Sequence, residues 1–179
     1  MRQNVGCLLI GDGKGDCLAP LEALLRAKGV AAMRTGGTLA EAQDGLVRVR
    51  RQDGVCIAAE GEMWAVALSL AAQLQVERIA LIAPEDRCRR AADERERQLQ
   101  RLKAYARRNL FFCISGILLL ERSGEGNADR RINELCRRLC NANVRRMSCP
   151  DPRAYGMEPA ARFLLSGSLG NGREALFSK

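Results

Sequence analysis

The chain has 179 residues, 47% of them hydrophobic and 28% charged, which is typical of a soluble globular protein with one buried core. Its longest apolar runs are too short to span a bilayer, and its first residues lack the cleavage site of a signal peptide, so we expect a cytoplasmic protein without membrane contact. The formal net charge is +8, and arginine supplies 25 of the 29 basic residues, which indicates a bias of composition more than a specific function.

Strand and helix patterns alternate along the chain. The first half predicts, in order, a strand at residues 5–10, a helix at 18–28, a strand at 30–33, a helix at 38–51, a strand at 55–59 and a helix at 63–74. The second half predicts a strand at 77–83, a helix at 89–108, a strand at 113–120, a helix at 129–140, a strand at 144–148 and a helix at 159–166.

This alternation predicts an α/β domain at residues 1–166, built as three layers with helices on both faces of a mostly parallel sheet of about six strands. Residues 167–179 are rich in glycine and serine and are predicted to form a flexible tail. Parallel sheets bind ligands at the carboxyl ends of their strands. The connections to inspect for a site are therefore residues 11–16, 34–38, 60–63, 84–90, 121–128 and 148–156.

Several segments resemble the α/β-hydrolase fold family. The segment CLLIGDGKGDCLAPLEALLRAKGVAAM is similar to a strand, an oxyanion loop, a helix and the next strand of that family. GVCIAAEGEMWAVALSLAAQ is similar to the nucleophile-elbow strand and its helix, and VERIALIAPED to the strand that follows. CISGILLLERSGEGNADRRINELCRRLCNANVRRMSCP is similar to the late unit that carries the acid loop. The resemblance implies an abbreviated hydrolase-like core that lacks the family's first two strands.

The elbow itself departs from the family pattern. The motif is Gly-x-Ser-x-Gly, in which small residues allow a sharp strand-to-helix turn that exposes the serine. The five positions are occupied here by Ala59, Glu60, Gly61, Glu62 and Met63. Glycine therefore stands where the family has its nucleophile, and two glutamates flank it.

The other catalytic positions that the resemblance implies have also changed. Gly11 and Asp12 stand in the oxyanion loop, and Glu121 or Glu125 offers a carboxylate at the acid position. The loop that would hold the general base contains Cys149, Pro150, Asp151 and Pro152, and the whole chain lacks histidine. A serine hydroxyl needs an adjacent base, and an orienting carboxylate has no role without an imidazole. The resemblance therefore implies a protein without the Ser-His-Asp triad.

Two other sites would indicate an enzyme of different chemistry. The loop of Gly11, Asp12, Gly13 and Lys14 follows a strand and precedes a helix, as a phosphate-binding loop does, but its spacing is not the dinucleotide fingerprint. Cys17 lies near a predicted helix start and Cys88 among arginines, two settings that favour a reactive thiolate. Because of these residues, a nucleotide-dependent enzyme and a thiol-based enzyme both remain alternatives to a protein without catalytic activity.

Metal and nucleic-acid sites are less well supported. Eight cysteines without a Cys-x2-Cys pair or histidine predict reduced, structural thiols and no metal or other cofactor. Acidic residues that follow the strands could bind a divalent cation, but a solvated rim is the simpler interpretation. The arginines of residues 89–108 are spaced to form i,i+4 pairs with acidic neighbours, which predicts a solvated helix. Aromatic residues interleaved with them, which would stack on nucleic-acid bases, are missing.

The sequence thus predicts a hydrolase-like protein without catalytic activity that binds an unknown small molecule or protein. A homo-oligomer is also compatible with the sequence. Nucleic acid is not an expected partner, although an arginine-rich module for anions or nucleic acid is a further alternative. The residues to examine are the degenerate elbow, the 11–14 loop and the two thiols.

Overall fold

The computed structural model describes residues 5–12, 17–50, 54–86, 92–108, 114–123, 134, 137 and 143–167. Six strands form one sheet in the order β2-β1-β3-β4-β5-β6, and each neighbouring pair is parallel. The strands are β1 Gly6–Ile10, β2 Ala31–Thr35, β3 Val55–Glu60, β4 Val76–Ile82, β5 Ile114–Arg122 and β6 Asn143–Cys149. The predicted α/β fold class and parallel sheet are confirmed.

The helices of the described residues are α1 Ala19–Ala27, α2 Leu39–Val49, α3 Trp64–Gln73, α4 Glu94–Arg108, α5 Pro152–Tyr155 and α6 Met157–Ser166. A single 3-10 turn, Gly61–Met63, links β3 to α3. Gly29 follows α1 with φ +76°, the left-handed conformation that ends many helices. No helix in the described part of the chain is long and apolar enough to cross a membrane.

The side chains of each strand alternate between two cores, one on each face of the sheet. Leu8 and Ile10 of β1 belong to the core that α2, α3 and α4 cover. Cys7 and Leu9 belong to the core that α1 and α6 cover. Because successive strand residues point to opposite faces, this segregation places helices on both sides of the sheet. The three predicted layers are therefore present.

Helix α3 is buried along its first eight residues, from Trp64 to Ala71. A helix that is apolar on all sides needs a cover on its outer surface as well as on its sheet side. Helix α4 supplies that cover, with Ala106 in the shared core and Leu99 and Leu102 packed against it. Each fully buried leucine or valine contributes roughly 1.5–3 kcal/mol to folding.

The described cysteines Cys7, Cys17, Cys56 and Cys149 are free thiols, in line with the predicted reduced state. Cys7 and Cys56 are register partners on β1 and β3, and both are buried. A hydrogen bond between the two thiols, together with burial, raises the pKa of Cys7, so this thiol stays protonated.

One difference from the predicted elements concerns the last third of the chain. Residues 148–156, predicted as a connection, contain the short helix α5, with Asp151 as its N-cap and Pro152 in its first turn. Of the predicted helix at 129–140, only Glu134 and Arg137 are described, and both are helical. The predicted tail beyond residue 167 lies outside the described residues.

Candidate functional site

The connection from β3 to α3 is a sharp turn with glycine at its vertex. Glu60 ends β3 in extended conformation, Gly61 has φ +56°, and α3 begins at Trp64. A Cβ atom added to Gly61 would meet no other heavy atom within 4 Å. The vertex therefore faces open space, and its backbone adopts a conformation that glycine accepts without strain.

This turn lies at the switch point of the sheet. The chain passes from β1 to β2 on one side and then to β3 on the other side of β1. The connections that follow β1 and β3 lead to helices on opposite faces of the sheet and so leave a crevice above the two strand ends, which is where open parallel sheets bind ligands. Gly11 and Asp12 follow β1 there, and Gly61 and Glu62 follow β3.

Two hydrogen bonds attach the turn to the segment that follows β4. The Glu85 amide donates to the carbonyl oxygen of Gly61 over 3.2 Å. The Trp64 indole Nε1 donates to the carbonyl oxygen of Glu85 over 2.8 Å. Because both bonds reach the same residue, the vertex of the turn and the start of α3 are held in a fixed position.

A cavity of about 260 Å³ opens above Gly61. Its walls come from the carboxyl ends of β1, β3 and β4 and from the first turns of α4. They are formed by Asp12, Glu60, Gly61, Glu62, Met63, Glu85, Asp93, Arg95, Glu96, Leu99 and Arg153. Six carboxylates and two guanidinium groups line this space, so its charge is predominantly negative.

Arg153 of α5 neutralises part of that charge. Its Nε lies 2.7 Å from a carboxylate oxygen of Glu60, whose side chain is only 7% exposed. Its second guanidinium nitrogen lies 3.8 Å from a carboxylate oxygen of Glu85. Arg153 therefore connects the ends of β3 and β4 across one wall of the cavity, and the unpredicted helix α5 positions it.

A buried lysine lies under the other wall. The Lys103 side chain is 0% exposed, and its Nζ contacts Oε1 of Glu62 and lies 3.3 Å from Oδ1 of Asp86. Arg107, one turn further along α4, contacts the other oxygen of Asp86, and its guanidinium stands 5.7 Å from the centre of the Trp64 ring. Moving such charges out of water costs several kcal/mol each unless they are paired.

The location of Lys103 corrects the predicted role of residues 89–108 as a solvated helix. Lys103 shares a helix face with Leu99, Leu102 and Ala106, which pack into the core. Their i, i+3, i+4 and i+7 spacing is visible in the sequence and marks the buried face. That spacing could have identified Lys103 as an inward-facing charge.

Of the predicted ligand loop, Gly11 and Asp12 are described, and Gly13 and Lys14 lie outside the described residues. The Gly11 amide donates to the carbonyl oxygen of Thr35 over 3.3 Å, which joins the ends of β1 and β2. The Asp12 carbonyl oxygen accepts a hydrogen bond of 2.9 Å from the Arg95 guanidinium. The described half of the loop thus adjoins the same cavity as the turn at Gly61.

The thiol hypothesis loses support at the residue that is described. Burial, together with the nearby Glu60 carboxylate, raises the pKa of the Cys17 thiol. The position near the start of α1 therefore does not favour a thiolate, contrary to the expectation from the sequence. Cys88 lies outside the described residues.

The acidic residues around the turn are ion-paired instead of grouped around a cation. Glu60, Glu62, Glu85 and Asp86 each contact a basic side chain. Among the residues that the structure describes, no group of three or more cysteine, aspartate or glutamate side chains is arranged to hold a metal ion.

The positions that the resemblance assigns to an acid and a base make other interactions. Glu121 pairs with Arg146 across β5 and β6 at 3.2 Å, and Glu125 lies outside the described residues. Cys149 is buried, and burial raises the pKa of its thiol. Asp151 accepts a hydrogen bond of 3.0 Å from the Arg153 amide as the cap of α5.

Comparison with known proteins gives no family assignment for this chain. A scan against protein-family models finds no match. A search of curated proteins finds no significant match either.

Proposed function

We propose that this protein is a non-catalytic, α/β-hydrolase-like protein that binds a small ligand in the cavity above Gly61. The observation that carries the proposal is the vertex itself. A left-handed glycine directly after β3 faces open space, and the residues around it are held by partly buried ion pairs. Strand order and the sharp turn support a hydrolase-like core.

The residues of the cavity do not supply the chemistry of a Ser-His-Asp hydrolase. Gly61 has no side chain to act as nucleophile, and the chain has no histidine to act as base. Stabilising a developing oxyanion requires hydrogen-bond donors or positive charge, whereas Glu60 and Glu62 stand on either side of the vertex. We therefore propose that the ligand is bound without being hydrolysed.

Size and charge indicate the class of ligand. The cavity volume of about 260 Å³ lies below the range of roughly 300–1,000 Å³ that is usual for drug-sized molecules, so a ligand of few heavy atoms fits best. Carboxylates outnumber guanidinium groups on its walls, and this balance favours an ammonium or guanidinium group over a phosphate or carboxylate.

Binding of putrescine and succinate tests the proposal, because the two molecules share a four-carbon chain and differ in the sign of their charge. We expect putrescine to bind the wild-type protein at least about tenfold more tightly than succinate in isothermal titration calorimetry. Preferential binding of succinate, or binding of neither, would refute the proposal.

The matched variants are Gly61→Asn and Gly29→Asn. Both glycines have positive φ and open space around the added Cβ, and asparagine tolerates that conformation, so both proteins should fold. Gly61→Asn places an amide in the cavity and should remove putrescine binding. Gly29→Asn lies after α1 and should leave it unchanged.

A further inference from the structure

A second cavity lies between α2 and α4, on the outer surface of the helical layer. Its volume is about 520 Å³, within the range of small-molecule sites. The residues that line it are Gly37, Thr38, Leu39, Ala40, Gln43, Gln73, Arg95, Gln98, Leu99, Arg101, Leu102 and Tyr105. Gln43 donates to Gln73 over 3.1 Å and connects α2 to the end of α3 at this cleft.

The walls of this α2/α4 cleft are largely apolar. Leu39, Leu99 and Leu102 pack against the core on one side and are only partly buried. Tyr105 is 39% exposed, so part of its ring is available to a ligand in the cleft. An apolar molecule in the cleft would remove this surface from water, at about 25 cal/mol for each Å² covered.

The charges on the cleft have one sign. Arg95 and Arg101 line it, and no carboxylate does so among the described residues. Glu41, an acidic side chain in the first turn of α2, is engaged with Thr38 in the helix cap. Arg95 donates to the backbone carbonyl of Asp12 and so stands at the border between this cleft and the acidic cavity.

We propose that the α2/α4 cleft binds a small amphipathic carboxylate, such as a medium-chain fatty acid. Its apolar chain lies against Leu39, Leu99, Leu102 and Tyr105, and its carboxylate meets Arg101, with Arg95 at the inner end. Guanidinium is suited to this role because it presents several donors in the geometry of a carboxylate. The cleft shares Arg95 and Leu99 with the cavity above Gly61, but the proposal does not rest on the function of that cavity.

A series of three ligands separates the apolar contribution from the ionic one. Decanoate, decanol and decylamine share a ten-carbon chain and carry a negative charge, no charge and a positive charge, respectively. We expect decanoate to bind most tightly and decylamine most weakly in calorimetric titrations below the micellar range. Equal affinities, or the reverse order, would overturn the proposal.

The charge contact is tested with Arg101→Gln. An exposed ion pair contributes up to about 1 kcal/mol, so we expect decanoate to bind about two- to fivefold more weakly while decanol binding is unchanged. The matched control is Arg162→Gln on α6, on the opposite face of the sheet, which should bind decanoate as the wild type does. Equal losses in the two variants would contradict the assigned contact.

The location is tested with Ala40→Phe and Val47→Phe. Both positions are exposed and lie on the same side of α2, seven residues apart, but only Ala40 lines the cleft. Ala40→Phe should abolish decanoate binding, and Val47→Phe should not. Sedimentation analysis provides a second readout: a dimer that Ala40→Phe dissociates would show that another copy of the chain covers the cleft, and would refute the proposal.

Discussion

At the scale of single residues, Gly61 explains more of the site than any other position. Its positive φ gives the turn from β3 to α3 its sharpness, and its missing side chain leaves the cavity open. The sequence predicted this vertex correctly, because an apolar strand, a small residue and an apolar helix follow one another directly. The ion-pair partners of the neighbouring carboxylates could not be predicted in the same way.

Restoring the hydroxyl at the vertex should not restore catalysis. Gly61→Ser introduces a side chain into open space at a backbone strain of roughly 1–2 kcal/mol, which a folded domain can tolerate. Because no imidazole is available, we expect no covalent adduct with a fluorophosphonate by intact-protein mass spectrometry. Stoichiometric labelling of the substituted position would show that another group acts as base.

Lys103 should matter for stability far more than its place on a charged helix suggests. Lys103→Met leaves the Glu62 and Asp86 carboxylates without this buried partner, although Asp86 retains Arg107. We expect a loss of about 3 kcal/mol in the free energy of unfolding, measured with urea.

The control on the same helix is Arg97→Met. Arg97 forms an exposed pair with Glu94, and its replacement should change the free energy of unfolding by less than about 0.5 kcal/mol. If Lys103→Met unfolds at the same urea concentration as the wild type, the buried network does not hold α4 against the turn.

Cys17 should be a slow thiol. Burial and the Glu60 carboxylate raise its pKa, so little thiolate is present at neutral pH. We expect iodoacetamide to alkylate Cys17 more slowly than free cysteine at pH 7, with a rate that increases as the pH is raised, measured by peptide mapping. Alkylation faster than free cysteine would revive the thiol-based alternative.

At the scale of elements, the caps show how local sequence fixes local structure. Thr38 and Glu41 form a reciprocal capping box at the start of α2, with a hydrogen bond of 3.2 Å from the Glu41 amide to Thr38 Oγ1 and one of 3.1 Å from the Thr38 amide to the Glu41 carboxylate. The helix predicted from the sequence also begins at Thr38, and the spacing of Thr38 and Glu41 is that of a capping box. Helix α5 escaped prediction because four residues are too few to show a helical period, although Asp151 and Pro152 are its start signal.

The capping box gives a prediction that depends on pH. Thr38→Ala should lower the free energy of unfolding by about 1 kcal/mol at pH 7. Hydrogen bonds from Thr38, with a smaller contribution from Arg95, lower the pKa of Glu41 below its ordinary value. A carboxyl group with a lowered pKa in the folded state stabilises the fold above its unfolded pKa, and this stabilisation disappears as the pH falls through the folded value.

The stability difference between wild type and Glu41→Gln should therefore be constant near neutral pH and shrink in acid, as followed by urea unfolding at several pH values. Asp44→Asn, at an exposed position of the same helix, provides the control and should not lower the free energy of unfolding by a comparable amount. A Glu41→Gln difference that grows as the pH falls would contradict the role of the carboxylate in the cap.

At the scale of the whole molecule, the sequence predicts the layers but not the contacts between distant segments. Alternation and buried strands suffice for a parallel sheet with helices on both faces. The ion pairs that build the cavity join Glu62 to Lys103 and Glu60 to Arg153, which lie far apart in the chain. Such pairs depend on strand order and on the rotation of each helix, and periodicity constrains these only loosely.

The same long-range ion pairs shape the cavity above Gly61. Arg153 of α5 and Lys103 of α4 approach the switch point from different parts of the chain and hold its carboxylates in place. The cavity above Gly61 is thus an acidic recess on a parallel sheet, with neither a serine at its turn nor a histidine in the chain. We propose that it binds a ligand without converting it.

Heteronuclear NMR of the nitrogen-labelled protein titrated with putrescine tests that claim most directly. We expect saturable shifts of the amide signals of Gly61, Glu62 and Glu85 and little change in the amide signals of α1 and α6. Putrescine should be recovered intact. Shifts centred on another part of the molecule, or the same shifts with succinate, would contradict it.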